Sequence, residues 1–465
     1  MDLMRRNMLK GAGAALVAGT GVLHYAGKVN AQEAAAAGHG PAWARPPLEP
    51  GRRGEDYQPV VTPNGVSLEY RVVDGIKVYH LIAEPVRHEF APGLEANVWG
   101  FNGRVHGPTI EAVEGDRVRI YVTNRLPAET SIHWHGVLLP SGMDGVAGLN
   151  QAPIRPGETF KYEWTFHQHG MLMYHSHHDE MTQMAMGMMG ALVVHPRRAA
   201  DRRPVDRDFA LLLSEWAIHA GTERPDPNEM GALNIFTINA KAFPGTAPLV
   251  VRTGDRVRIR IANLSADSHH PIHIHGHKFD VVETDGGVIP EAGRWPETTV
   301  IMPVGSTRTI EFVADNPGDW GLHCHMTHHI MNQMGHGIPN MIGFERGNFD
   351  ERMRSILPGY MTMGETGMGD HGVHVEAGHM RVPENSIPMV GKRGPRGYIT
   401  MGGMVTILKV RDELESYDVD PGWYENPEGT EARLAREEEL RRDGVDVVPR
   451  EAAPARGGPG HEGHH

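Results

Sequence analysis

The chain has 465 residues, enough for two or three domains with sizeable cores. Its 57 Gly, 34 Pro and 22% charged residues suit a loop-rich all-β protein better than a helical one. A net charge of −13 argues against a nucleic-acid partner, since no basic excess exists to displace phosphate counterions, and a single cysteine excludes intrachain disulfides. Histidine (30) and methionine (25) are both abundant and both ligate copper, so composition alone permits metal storage as readily as catalysis.

Residues 1–31 read as a twin-arginine-type export signal. Arg5 and Arg6 precede a mildly apolar Gly/Ala-rich run, and Val29 to Ala31 offer small residues for cleavage. That run is too short and too Gly-rich for a permanent membrane anchor, so a periplasmic protein is expected. Residues 32–58, rich in Ala, Gly, Pro and Arg, are expected as a flexible linker.

An internal repeat organises the central part of the chain. The run Gly115 to Asn124 (GDRVRIYVTN) recurs as Gly254 to Asn263 (GDRVRIRIAN), and each alternates as a half-buried strand does. About ten residues on, each copy reaches paired histidines: His133 and His135 in the first, His273 and His275 (with His270 just ahead) in the second. Each then has a second alternating strand, at 159–165 and 307–313, and a further His-x-His, at His175/His177 and His323/His325. Residues 59–200 and 201–346 are therefore expected as two tandem β-sandwich domains with matching metal-bearing ends. The boundary falls where Pro and charge cluster, between His195 and Asp208.

The copies differ informatively. Cys324 aligns with Ser176, His329 with Met181, Met334 with Met186, and His270 with Thr130. The first domain thus keeps only paired imidazoles. In a strand, Cys324 faces one way while His323 and His325 face the other. One face then offers a thiolate with His329 and Met334 nearby, a blue-copper set short of one histidine. The other face offers two imidazoles to a thiolate-free site one peptide unit away. Eight histidines in four pairs are too many for one copper and suit a cluster of three.

The motifs His-Trp-His-Gly from His133, His-Ser-His from His175, His-Pro-x-His-x-His-Gly-His from His270 and His-Cys-His-x3-His-x4-Met from His323 resemble the four copper motifs of the multicopper oxidases, the family of laccases and metallo-oxidases. The resemblance covers about residues 60–345 and implies cupredoxin-like Greek-key sandwiches holding four coppers per subunit. Type 1 copper would be held by His270, Cys324, His329 and Met334, and type 2 by His133 and His273. The type 3 pair would take His135, His175, His177, His275, His323 and His325. The implied reaction couples one-electron oxidation of a small-molecule donor or Cu(I) to four-electron reduction of dioxygen to water. Asp144 matches the family's acidic residue near the type 2 copper, with an Asp-Gly turn as the plainer alternative; a second proton donor is unassigned. An axial Met334 in place of Leu or Phe should favour a lower type 1 potential.

Only about ninety residues separate His177 from His270, with no room for an intervening sandwich. This resembles the two-domain branch with its type 1 site in the second domain, in which the cluster forms between subunits; a homotrimer is expected. Met181, Met184, Met186, Met188 and Met189 suggest either Cu(I) recruitment or core filling. Residues 347–465 are expected as an extension outside both domains. It would carry one strand near 401–410 that packs on a neighbour, a charged helix at 431–442 and a disordered end. The competing readings are a periplasmic copper-sequestering protein, supported by the Met and His excess, and a copper nitrite reductase, whose cysteine would occupy the place of Ser176.

Overall fold

The computed structural model describes residues 44–229, 231–333, 348–356 and 382–446. The expected export signal, the Met- and His-bearing stretch 357–381 and the chain end beyond 446 lie outside them. Strands dominate, as expected for an all-β chain. The described α-helices are Glu180–Ala185, Phe349–Ile356 and Glu437–Arg442, and none is long and apolar enough to cross a membrane. The last is shorter than the sequence suggests. Glu437, Glu438 and Glu439 open it and Arg441 and Arg442 close it, complementing its dipole, with nothing buried.

A five-stranded sheet (Arg71–Val73, Ile76–Ala91, Leu94–Phe101, Arg117–Asn124, Thr159–Thr165) faces a four-stranded one (Gly107–Val113, Ile132–His133, Gly170–Ser176, Met189–His195). The first repeat strand alternates as its sequence demands, with Val118, Ile120, Val122 and Asn124 inward. Its counterpart Arg256–Asn263 is buried on both faces after its first residue. The second face is covered by ion pairs rather than water: Arg258 and Arg260 meet Asp208, Glu283 and Glu311. One alternating motif therefore serves a half-exposed strand in one sandwich and a fully covered strand in the other.

The second sandwich has a seven-stranded sheet containing Arg207–Trp216, Ile235–Ile238, Arg256–Asn263 and Ser306–Val313, and a five-stranded sheet ordered Leu249–Arg252, Val405–Arg411, Gly318–Cys324, His270–Ile274, Thr299–Met302. The expectation that the chain beyond 346 lies outside both sandwiches does not hold. Val405–Arg411 runs parallel to Leu249–Arg252 and antiparallel to Gly318–Cys324, inside its own chain's sheet. The reason is burial. Val405, Leu408 and Val410 are all 1% exposed or less, and without this strand the edge of Gly318–Cys324 would be unpaired. Nor is all of 32–58 a free linker. Leu48 N donates to Gly115 O and Gly51 N to Asp116 Oδ1, both at 2.8 Å, and the buried Tyr57 ring stacks on His195.

Two seams hold the sandwiches together. Met171, Met173, Met189 and Val193 pack against Ala210, Leu212, Ala262 and Leu264. The long hairpin formed by Ile76–Ala91 and Leu94–Phe101 reaches across to Trp216, Ile218 and Ile235. Burying one Met or Leu side chain is worth about 1.5–3 kcal/mol, so these seams set the relative orientation of the two units. With Met188 in the first core and Met189 in the seam, most of the methionine run fills space. Only Met181, 53% exposed, stands clear.

Candidate metal centres

Register between Gly318–Cys324 and His270–Ile274 sets Cys324 opposite Ile272 and His323 opposite His273. Cys324 therefore points into the second core while His323 points out of it. The 3-10 turn Thr327–Ile330 brings His329 back beneath the sulfur. Cys324 Sγ lies 3.7 Å from His270 Nδ1 and 3.5 Å from His329 Nδ1, and the two nitrogens are 3.1 Å apart. All three side chains are fully buried. Ser265 Oγ sits 2.6 Å from His270 Nε2, and the Phe236 ring stacks on His329 at 4.1 Å.

Burial pushes His270 down to about 3 and the Cys324 thiol up to about 12. His270 is thus a neutral imidazole, ready to donate a lone pair, and the thiol keeps its proton until a cation displaces it. One sulfur and two imidazole nitrogens converging in an apolar core fit copper. Met334 lies outside the described residues.

The C-terminal segment closes this site. Cys324 N donates to Met404 O at 3.1 Å and Met404 N to His329 O at 3.0 Å. Gly403 N donates to the buried Asn332 Oδ1 at 2.8 Å. Gly403 has φ +58°, and a Cβ there would run into the His329 carbonyl. Sequence reading missed this segment because nothing local ties residues near 400 to residue 329.

The other eight histidines form two separate quartets. In the first, His133, His135 and His175 bring ligand atoms within 4.8 Å of one another, and His177 joins at 5.5 Å between ring centroids from His133. In the second, His275 Nε2 is 3.0 Å from His323 Nε2, and His273 and His325 rings lie 5.6 Å apart. The repeat extends to tautomers. His175 Nδ1 lies 2.9 Å from Ser176 O and His323 Nδ1 2.8 Å from Cys324 O. A carbonyl only accepts, so each Nδ1 carries the proton and each Nε2 is free to ligate. His133 is oriented likewise by Asp144 O at 2.9 Å, with Asp144 Oδ1 at 3.4 Å. Sequence reading missed a second carboxylate here, Glu180, which lies 3.8 Å from His175 and 3.7 Å from His177. Its spacing of three from His177, on a helical turn, was the available signal.

Among the described residues no ring or hydrogen-bond contact joins the two quartets. The first opens on a cleft of about 420 Å³ whose far wall is Leu264, Ser265, Val304 and Gly305 of the second sandwich, the end that carries the His270 loop. A larger hollow of about 610 Å³ on the outer face of the first sandwich, beside Tyr70 and Tyr121, holds no such cluster.

The first sandwich also shows what replaced a thiolate site. Thr130 and Ser176, the counterparts of His270 and Cys324, both donate to Gln183 Oε1, at 2.7 and 2.5 Å, and Gln183 Nε2 donates to Glu129 O at 2.7 Å. Gln183, not the aligned Met181, fills the position answering to His329.

Family models described as multicopper oxidase match residues 83–199 and 218–341. Laccase-2 of Botryotinia fuckeliana is 31% identical over 306 residues, 59% of this chain and 49% of its own. Copper resistance protein A of Escherichia coli is 29% identical over 275 residues, 49% of this chain and 44% of its own. The chain thus spans less than half the length of these two curated relatives. Among solved structures, the blue copper oxidase of Nitrosomonas europaea superposes with a TM-score of 0.52 at 27% identity, covering 71% of this chain and 85% of that one. The multicopper oxidase mgLAC does so with 0.53 at 27%, covering 74% and 87%. With two matched family models, a cupredoxin-like fold shared with solved oxidases and a buried Cys-His-His set, the chain belongs to the multicopper oxidase family.

Proposed function

We propose that this protein is a laccase-like oxidase that takes electrons singly from a phenolic or aromatic donor, or from Cu(I), and delivers them to dioxygen. Four coppers per subunit, when bound, supply one-electron storage and the four-electron reduction of dioxygen to water. His270, Cys324 and His329, with Met334 as the fourth ligand, hold the type 1 ion. His133 and His273 hold type 2. His135, His175, His177, His275, His323 and His325 hold the type 3 pair. The single observation that carries this reading is the register at Cys324. Its sulfur meets two buried imidazoles on one side of the strand, while His323 and His325, covalently adjacent, belong to the outer quartet. Electrons cross from sulfur to the outer imidazoles through one stretch of backbone. Asp144 is the group we assign to hold a proton at its Oδ1 beside His133.

Each sandwich carries half of the eight-histidine set, and among the described residues no ring or hydrogen-bond contact joins the two halves. We therefore propose a homotrimer in which the first quartet of one subunit meets the second quartet of the next. The two-domain division near residues 195–208 and export to the periplasm by the twin-arginine route belong to the same proposal. Among the described residues, Met186, Met188 and Met189 are buried, so most of that methionine run offers copper sequestration no exposed thioether. Oxygen uptake by the copper-loaded protein, with a phenol and with Cu(I) as donor, tests the reading. Uptake in wild type that is lost in Cys324→Ser supports it, and equal uptake in both sinks it.

A further inference from the structure

Glu215 lies in the strand Arg207–Trp216 and is 5% exposed. Its Oε1 accepts from the backbone N–H of Asp267 at 2.6 Å and of Ser268 at 2.8 Å. These groups belong to the loop that joins Arg256–Asn263 to the strand beginning at His270. Asn263 holds the same loop from the other side: its Nδ2 donates to Ser268 O at 3.0 Å and its Oδ1 accepts from Ser265 N at 2.9 Å. Ser265 in turn presents its hydroxyl to His270 Nε2. Across the sheet, Glu215 is registered with Phe236, whose ring stacks on His329. The Glu215 side chain thus holds the loop that leads to His270, and its backbone pairs with the residue that stacks on His329.

A neutral Gln would hold the two N–H groups equally well, so position alone does not explain an acid. The other oxygen, Oε2, is buried and has no hydrogen-bond partner among the described residues, and no cationic side chain among them pairs with Glu215. A buried carboxylate without a counter-charge costs several kcal/mol. The nearby group of converging metal donors is the Cys324 site, whose thiol feels the Glu215 charge: a divalent ion bound to one thiolate leaves one net positive charge in the core, and one carboxylate cancels it.

Resting on the reading of His270, Cys324 and His329 as a copper site, we infer that Glu215 is its positioning residue, clamping the His270 loop and balancing the charge of the oxidised copper-thiolate pair. Because a negative charge favours Cu(II) over Cu(I), its removal raises the midpoint potential.

The experiment compares wild type, Cys324→Ser, Glu215→Gln and Glu215→Met in three measurements. These are Cu(II) affinity by chelator competition at the site that gives the thiolate charge-transfer band, the position of that band, and the midpoint potential by redox titration. Glu215→Gln keeps the acceptor and loses the charge. Its band stays in place, its potential rises, and its affinity falls about tenfold, the lower end expected when a partner behind a ligand is changed. Glu215→Met loses both roles, shifts the band and falls toward about 100-fold. Should Glu215→Met fail to fold, Glu215→Gln alone decides. Wild-type potential and affinity in Glu215→Gln overturn the inference while leaving the copper site intact. Absence of any Cys324-dependent band in wild type overturns the site itself.

Discussion

Ser176 donates a 2.5 Å hydrogen bond to Gln183 Oε1, at the place in the first sandwich that Cys324 holds in the second. The amide plugs a position where the other half of the repeat gathers metal donors. Thr130 depends on the same oxygen. Replacing Gln183 with Leu leaves the Thr130 hydroxyl buried without this acceptor and the Ser176 hydroxyl with only its 3.3 Å bond to His178 O, the lost bond at each costing about 1–3 kcal/mol. Gln183→Leu is expected to lose about 2–5 kcal/mol of unfolding free energy by denaturant titration, with the Cys324 charge-transfer band unmoved.

Gly403 stands with φ +58° against the His329 carbonyl. Gly403→Ala adds a left-handed backbone penalty of about 1–2 kcal/mol and a collision that displaces His329. Thermal melts of the apoprotein should show the first effect. Weaker Cu(II) retention at the Cys324 site in chelator competition should show the second.

The inter-subunit arrangement is open to complementation. His133→Ala damages the first quartet and His323→Ala the second, and each variant alone should consume no oxygen. Reassembled together, a ring contains contacts where an intact first quartet meets an intact second quartet, so uptake returns. If each cluster formed inside one chain, mixing would restore nothing.

Acid stability should show the cost of burying His106 and His88, whose pKa values burial lowers to about 3 and about 4. Both are neutral when folded, and both take up a proton near pH 6.5 when unfolded. The unfolded state therefore binds more protons below that value. Stability is fully present above it and falls as pH drops toward the folded values. Between pH 7 and 5 each histidine removes about 2 kcal/mol. His106 Nε2 lies 2.8 Å from Ser214 Oγ, a bond an amide can replace, and in His106→Gln the apoprotein should lose about 2 kcal/mol less than wild type over that interval. Equal losses would place the sensitivity elsewhere.

Much of this molecule was readable one short stretch at a time. The duplicated GDRVRI strand, the four His-x-His pairs and the lone Cys324 each declare a period-2 pattern and a ligand chemistry within ten residues. A strand's alternation alone is enough to send the sulfur inward and its neighbours outward. In the folded chain His270 and His329 meet Cys324; alternation fixed the side on which the sulfur lies, and His270 came from the resemblance.

What required the folded chain were relationships between residues far apart in sequence. Nothing near Val405–Arg411 announces that it pairs with Gly318–Cys324, and nothing near Gln183 announces that it seals the site opposite Thr130. Glu215, fifty-two and fifty-three residues from the amides it holds, looks like any strand acid until the loop closes over it. Alternation and ligand type are properties of covalent geometry and side-chain chemistry, so they survive in a linear string. Which buried group meets which is settled only when the cores pack and water leaves, and there the identity of a distant partner decides whether a charge or a hydroxyl can be tolerated.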